Sequence, residues 1–563
     1  MAFIQAMNAT SANTKIGVNG EMVYTAEGVG DSRVALFTML NRGLDENTLQ
    51  DMIRAVFNES KKTDKPQMQL DMFLMAFQTR DIRGGKGEKD LFYTFMKILW
   101  EQDSLITRKV VRYIPEYGCW RDMWEILKEI PHLQEDILEI TCSTFFADRL
   151  HLARGSTEKL SLLSKWLPRE RSKTYPGIAT VIATALFPDI TNGKKRMMMY
   201  RKEVSAMNKA LKTVEINMCG GTWQEIQPER VPGRCLKIHT KAFYNLDQKD
   251  GVENLRFPDS EDRMECRHRF LDWKEELKSG AKKAHGADVI MPHELIAQTL
   301  DQRRSPDEQD ITQAQWESIR NKMAADSGLR KAVAMCDFSG SMDGLPKLIS
   351  LALGILISEV THSSFKDHIL SFDSKPTWHS FTGNLTLKDK LNSISRSLGQ
   401  GLSTDFHKAC LCILDRMVKS RVPVGEEPED LIVLTDMGFD AANTSPANYT
   451  GYAQCNHYQP FQLEEIRKQF KLAGEKVWGK GKGWKPPRIV VWNLRVEYKD
   501  FHATAHQEGV LQLSGWSPNV LKVLEKGSIE AKTSYQGMRE LLDDERYGKI
   551  ADVWLFTPRP NRA

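Results

Sequence analysis

Ala332-Val-Ala-Met-Cys336 runs directly into Asp337-Phe-Ser-Gly-Ser-Met342, and this junction decides how the second half of the chain folds. A short apolar run with no helical period reads as a fully buried strand. Asp337, Ser339 and Ser341 then follow in D-x-S-x-S spacing. In an open α/β sheet, ligands bind beyond the carboxyl ends of strands. A carboxylate and two hydroxyls at alternate positions there offer the hard oxygen ligands that Mg²⁺ accepts. The competing reading is local: Asp337 and Ser339 cap the helix that follows.

Outward from this junction, further β-type runs (Ile369 to Phe372, Leu431 to Leu434, Ile489 to Leu494, Val510 to Leu513) alternate with helical stretches. The stretches are Leu345 to Val360, Leu387 to Leu398, Asp405 to Val418, Leu463 to Leu472 and Asn519 to Glu525. This alternation predicts a mainly parallel, doubly wound α/β sheet covered on both faces. The stretch from Leu345 is apolar nearly all round, so it should be deeply buried. Two more oxygen donors fall in suitable places: Thr404, in the loop Gly401-Leu-Ser-Thr-Asp405 that opens a helix, and Asp436, just after the strand ending at Leu434.

D-x-S-x-S followed by Thr404 and Asp436 resembles the metal-ion-dependent adhesion site (MIDAS) of the von Willebrand factor A (vWA) domain, over about Lys331 to Pro558. The resemblance implies that Ser339, Ser341 and Thr404 give side-chain oxygens to Mg²⁺ or another divalent cation, with Asp337 and Asp436 acting directly or through water. An open coordination position would then take a partner's carboxylate or phosphate oxygen. One departure is Asp436-Met437-Gly438, where the family commonly has Asp-Gly.

From about Asp31 to Lys241 the apolar spacing is helical, as in Leu49, Met52, Ile53, Val56, Phe57 and in Trp120, Met123, Trp124, Ile126, Leu127, Ile130. Short connections predict helices packed in antiparallel pairs, a HEAT-like helical-repeat solenoid. The chain is therefore expected to be multidomain, α and α/β: an N-terminal segment 1–30, a helical-repeat domain 31–325 and a vWA-like domain 326–563. Arg80-Asp-Ile-Arg-Gly-Gly-Lys-Gly-Glu88 and Tyr117-Gly-Cys-Trp-Arg-Asp122 resemble segments of the TROVE module, the helical half of the Ro ribonucleoprotein autoantigen, which is also joined to a vWA domain. A family of the same layout without an established function is closer still, and includes Lys165-Trp-Leu-Pro168, Tyr200-Arg-Lys202, Glu215-Ile-Asn-Met218 and Val231-Pro-Gly-Arg234. The Ro resemblance implies a ring closed by the vWA domain and a basic surface that binds small structured or defective RNA.

Charge distribution agrees in one respect. Residues 151–241 hold 17 Lys and Arg against 7 Asp and Glu, although the whole chain is only +4. Lys194, Lys195, Arg196, Arg201 and Lys202 bracket Met197-Met-Met-Tyr200, while Lys165, Arg169, Arg171 and Lys173 surround Trp166 and Tyr175. Phosphates favour such clusters, and neighbouring aromatics can stack unpaired bases. The plain alternative is the solvated face of an amphipathic helix. Arg80, Arg83 and Lys86, around a Gly-rich loop that opens a helix, are further candidate phosphate ligands. Their alternative is a tight turn with Asp81 or Arg83 in a structural ion pair. The basic, Trp-containing loop from Lys476 to Arg488 enters a strand at the sheet end away from the metal site, as an RNA contact or a connector.

Other function classes are excluded or unsupported. Ordinary globular composition, 41% hydrophobic and 27% charged, rules out disordered or fibrous chains. No apolar tract spans a bilayer, and the first residues lack a secretion signal, so a cytoplasmic location is expected. Nine scattered cysteines with no C-x-x-C fit a reducing compartment. The sequons at Asn443 and Asn448 then carry no weight. There is no H-E-x-x-H, G-x-S-x-G or P-loop pattern, so no enzymatic activity is expected; the Ro resemblance, with the basic segment, implies an RNA-binding protein, and a metal-bridged protein scaffold is its rival.

Overall fold

The computed structural model describes residues 13–19, 22–247, 254–279, 282, 290–326, 329, 331–371, 376–381, 383, 385–395, 406–439, 462–524 and 532–558. Thr404 and both sequons lie outside these residues. A hairpin of β1 (Thr14–Ile16) and β2 (Met22–Tyr24) precedes a long helical stretch, and an α/β unit follows. The chain is thus α followed by α/β, with a mixed sheet in its C-terminal half.

The six-stranded sheet is built from β3 (Ala332–Cys336), β4 (His368–Ser371), β5 (Thr377–Ser380), β6 (Asp430–Thr435), β7 (Arg488–Asn493) and β8 (Val510–Ser514). Its order is β5-β4-β3-β6-β7-β8, parallel except for β5 at one edge. Sequence periodicity missed β5, whose Thr-Trp-His-Ser is too short and polar to read as a strand. The register pairs Cys336 with Leu434, so β3 and β6 end side by side, and the direction of strand succession reverses between them.

Strand alternation divides the core. Val333 and Met335 face helices Phe406–Lys419 and Gln462–Trp478, whereas Ala332, Ala334 and Cys336 face helix Leu345–Val360. That helix is buried from Ile349 to Ser358, as its all-round apolarity predicts. Gly354 makes its close approach possible, because a Cβ there would lie 2.3 Å from Cys336 Sγ. The stretch predicted as a helix from Asn519 is a 3₁₀ segment, Pro518–Leu524.

In the helical half, Asp45 caps helix Glu46–Thr63 by accepting from Thr48 N at 2.9 Å, and Leu49, Ile53, Val56 and Phe57 form its buried stripe. Helices Gln67–Arg80, Lys89–Gln102 and Trp120–Glu129 continue the stack. Residues 214–311 bury a separate core around Phe243, Phe270 and Trp273.

The boundary expected near residue 325 does not divide the core. One apolar cluster runs from Val29 through the early helices to the sheet and on to Trp554. Helix Ser32–Met39 lies against β8, and helices Ser534–Leu542 and Gly548–Phe556 lie against helix Gln67–Arg80. At the other end of the helical half, helix Pro292–Leu300 packs on Leu345–Val360. The two ends meet near Trp516, which carries the Arg42 guanidinium at 4.1 Å and the His293 ring at 5.4 Å. Among the described residues no helix is long and apolar enough to cross a membrane.

Candidate metal centre and basic surface

The candidate metal centre forms where β3 and β6 end together. Asp337 is fully buried; its Oδ1 accepts from Ser339 N at 2.9 Å and its Oδ2 from Thr435 Oγ1 at 2.9 Å. Ser339 Oγ and Ser341 Oγ are 3.0 Å apart on the turn that follows. Asp436, also fully buried, accepts from Gly438 N at 3.1 Å through Oδ1, while its Oδ2 has no hydrogen-bond partner. Burial and the neighbouring Asp436 carboxylate raise the pKa of Asp337 against the hydrogen bonds from Ser339 and Thr435. Burial raises Asp436 as well, opposed by the Ser341 hydroxyl, Gly438 N–H and Arg495.

Two adjacent buried carboxylates that resist ionisation, an orphaned carboxylate oxygen and a hydroxyl pair together form a donor set that fits a small hard cation. Among the described residues no group of three or more His, Cys, Asp or Glu is placed to hold a metal. The helix-cap reading accounts for Ser339 N but not for Asp436 Oδ2. Thr404, the remaining sequence candidate, falls outside the described residues.

The departure at Met437 has a structural form. Its φ is +75°, left-handed backbone that glycine adopts without strain, and its side chain is buried beside Phe406 and Phe439. His502 Nε2 lies 2.9 Å from Met437 O, and Asn19 Nδ2 donates to Gly438 O at 2.7 Å. The Arg495 guanidinium donates to the Ser341 carbonyl. Sequence reading missed His502, Asn19 and Arg495, because each is remote in the chain and belongs to no local pattern.

The basic candidates divide into three groups. Arg80 and Lys86 are corrected: both are buried and engaged within the protein. Arg80 pairs with Asp122 at 2.7 Å, and Lys86 Nζ donates to Phe37 O, Leu40 O and Ser514 Oγ at 3.1, 2.9 and 2.6 Å. Asp81 accepts from Arg546 Nη2 at 2.8 Å and Tyr547 OH at 3.1 Å, and Asn519 Nδ2 reaches Gly85 O at 3.3 Å. The Gly-rich loop is therefore a seam between the two halves. Arg83 alone of the three is exposed, at the rim of this seam.

Lys165, Arg196 and Arg201 form the second group, with partners of their own: Glu215 at 3.2 Å, Ile190 O at 2.9 Å with Thr184 Oγ1 at 2.8 Å, and Glu170. Arg169, Arg171, Lys173, Lys194, Lys195 and Lys202 form the third; they are exposed, with no ion-pair or hydrogen-bond partner for their side chains among the described residues. Tyr200 OH donates to Pro168 O at 2.7 Å, which ties helix Gly193–Ala210 to the segment carrying the first cluster, so the two clusters lie on joined elements.

The stacking role expected of the aromatics is corrected too. Tyr200 and Tyr175 are buried, Tyr175 between Glu125 at 2.6 Å and Arg121 at 3.0 Å, and Trp166 is half-buried with its carbonyl accepting from Trp124 Nε1. In the Lys476–Arg488 loop, Trp478 and Trp484 both donate to Val422 O at 3.0 Å, so the aromatics there brace the fold.

Residues 331–552, which include Asp337 and Asp436, match a family described as a domain of unknown function (DUF7788). Residues 133–256, which include the basic surface, match a second domain of unknown function (DUF2828). An uncharacterised protein of Acanthamoeba polyphaga mimivirus is 25% identical over 532 residues, covering 91% of this chain and 85% of its own length. The similarity thus extends across both halves of the molecule.

Proposed function

We propose that this is a non-enzymatic, Ro-like RNA-binding protein: the helical half holds structured RNA on its basic surface, and a vWA-type α/β half holds Mg²⁺ at Asp337, Ser339, Ser341, Thr404 and Asp436. The observation that carries the RNA reading is the convergence of six exposed, unpaired cations from two clusters joined by Tyr200 and Pro168. Phosphate contacts by such cations supply most of the affinity for a polyanion and make it salt-dependent. With the stacking aromatics buried, recognition runs through the RNA backbone. The ends of the helical half both reach the α/β half, an arrangement that accords with a closed ring of helical repeats. The unbridged cysteines among the described residues accord with a cytoplasmic setting.

Ultraviolet crosslinking of the full-length protein in its native cells, with sequencing of bound RNA and mapping of crosslinked peptides, tests the reading. Structured RNA attached within 165–202 is the expected result; RNA no more abundant than in a matched non-binding control overturns it. A second reading is favoured by Asp436 Oδ2, a buried carboxylate oxygen left without a donor. In it the cation is the whole recognition device, bridging to an acidic side chain of a protein partner. When bound, the cation would supply a Lewis-acidic point for one oxygen ligand, and Asp337, Ser339 and Ser341 would hold it in position. Partner capture that requires Mg²⁺ and fails in Asp337→Ala distinguishes this scaffold from the RNA carrier.

A further inference from the structure

The peptide group between Met437 and Gly438 is held at both ends. Its N–H donates to Asp436 Oδ1 at 3.1 Å, and its carbonyl oxygen lies 2.9 Å from His502 Nε2. A carbonyl only accepts, so Nε2 carries the proton in this contact. His502 thereby acts on Asp436 through a single peptide unit, and hydrogen bonds in such a chain polarise one another. The next carbonyl along, Gly438 O, accepts from Asn19 on the N-terminal hairpin.

The segment after β7 also holds the hairpin. Tyr24 N donates to Phe501 O at 2.8 Å, Val18 N reaches Asp500 Oδ2 at 3.3 Å, and Lys15 pairs with Asp500 at 2.7 Å. Tyr498 from the same segment closes on Gly438, where an added Cβ would meet its ring at 2.9 Å. His502 is itself fixed by the Phe439 ring, 4.2 Å away. Two consecutive carbonyls are therefore set from outside the loop, at a place where Met437 holds left-handed backbone against its own preference.

We propose that His502 and Asn19 are positioning residues for the candidate cation site: they fix the Met437–Gly438 backbone so that Gly438 N–H holds Asp436 Oδ1 and Oδ2 is left free for the cation. This inference rests on the cation reading above. It assigns the N-terminal hairpin a part in the α/β site, which no local pattern connects with it. Groups that orient a metal's ligands alter affinity by about 10–100-fold when removed.

Titration of the full-length protein with Mn²⁺ and with Mg²⁺ by calorimetry tests it, with metal-free thermal unfolding recorded for each variant. His502→Phe keeps the ring stack and loses the donor, so affinity should fall by about 10–100-fold. His502→Gln keeps an N–H donor and should restore affinity to within about threefold of wild type. Asn19→Ala, at an exposed position, should weaken binding several-fold while leaving the metal-free melting temperature unchanged. Wild-type binding that Asp337→Ala abolishes, but that His502→Phe and Asn19→Ala leave intact, overturns the positioning role and leaves the cation reading standing. No saturable binding to the wild-type protein overturns both.

Discussion

Lys86 Nζ and Ser514 Oγ stand 2.6 Å apart across 428 positions of sequence, inside a seam that water does not reach. With Phe37 O and Leu40 O, the serine matches the three donors of the ammonium one for one, at the end of helix Ser32–Met39 where the helix dipole favours a cation. Burial without a carboxylate in hydrogen-bond contact pushes the Lys86 pKa well down. Lys86→Met fills the space and removes the ammonium, leaving the single Ser514 hydroxyl proton to serve one of the two carbonyls, Phe37 O or Leu40 O, and the other unpaired. It should cost about 1–3 kcal/mol of stability. Urea unfolding measures the loss, and limited proteolysis should then cut between the early helices and β8. An unchanged midpoint would remove Lys86 from the tie between the halves.

Asp436→Asn should have opposite effects with and without metal. In chelator, removing one of two buried like charges should raise stability by about 1 kcal/mol. With Mg²⁺ at about 100 times its Kd, wild type should gain about 2.7 kcal/mol and the variant nothing. Thermal unfolding with and without divalent ion gives both comparisons; a variant that still gains from Mg²⁺ would contradict the assignment.

Reversing Lys194 and Lys195 together should weaken binding to a structured RNA and reduce the slope of log affinity against log salt by about 2. Filter binding between about 50 and 200 mM salt covers the range where this term dominates. Arg80→Glu provides the contrast. It breaks a buried pair with Asp122 and should lower stability by about 3–5 kcal/mol, so its loss of RNA binding would track unfolding.

His293 gives the fold an acid-sensitive point. Burial, reinforced by Arg42 and Lys237 and opposed by Glu294, brings its pKa down from 6.5 to about 4. The unfolded chain therefore binds the extra proton first. The contribution to stability is complete above about pH 6.5 and is lost as pH falls toward about 4, on the order of 3 kcal/mol in all. His293→Phe, which keeps a ring against Trp516, should flatten this part of the pH–stability curve. An unaltered curve would assign the acid sensitivity to other groups.

How much was legible in the sequence depended on distance along the chain. β3, its D-x-S-x-S turn and the buried helix after it are readable because strand, turn and helix each show a local period. Asp436 is readable because it ends a second apolar run. Arg80 and Lys86 were misassigned for the same reason: a basic, Gly-rich turn looks alike whether it faces solvent or Ser514 and Asp122, and only tertiary contacts decide. The left-handed Met437 is also set from afar, by partners at Asn19 and His502. Tyr175 and Tyr200 failed as stacking platforms because helical spacing marks which residues share a face, not whether a neighbour covers it.

The core shared between Val29 and Trp554 has a consequence for biogenesis. The first helices bury their apolar faces on β8 and on helices Ser534–Leu542 and Gly548–Phe556, which the ribosome makes long after them. At about 5–20 residues per second, the roughly 380 residues between Ile130 and Val510 take on the order of 20–75 s to synthesise. Throughout that interval the nascent chain carries uncovered apolar helices. Ribosome-bound chains stopped before β8 should therefore be more open to protease across residues 32–130 than the released protein.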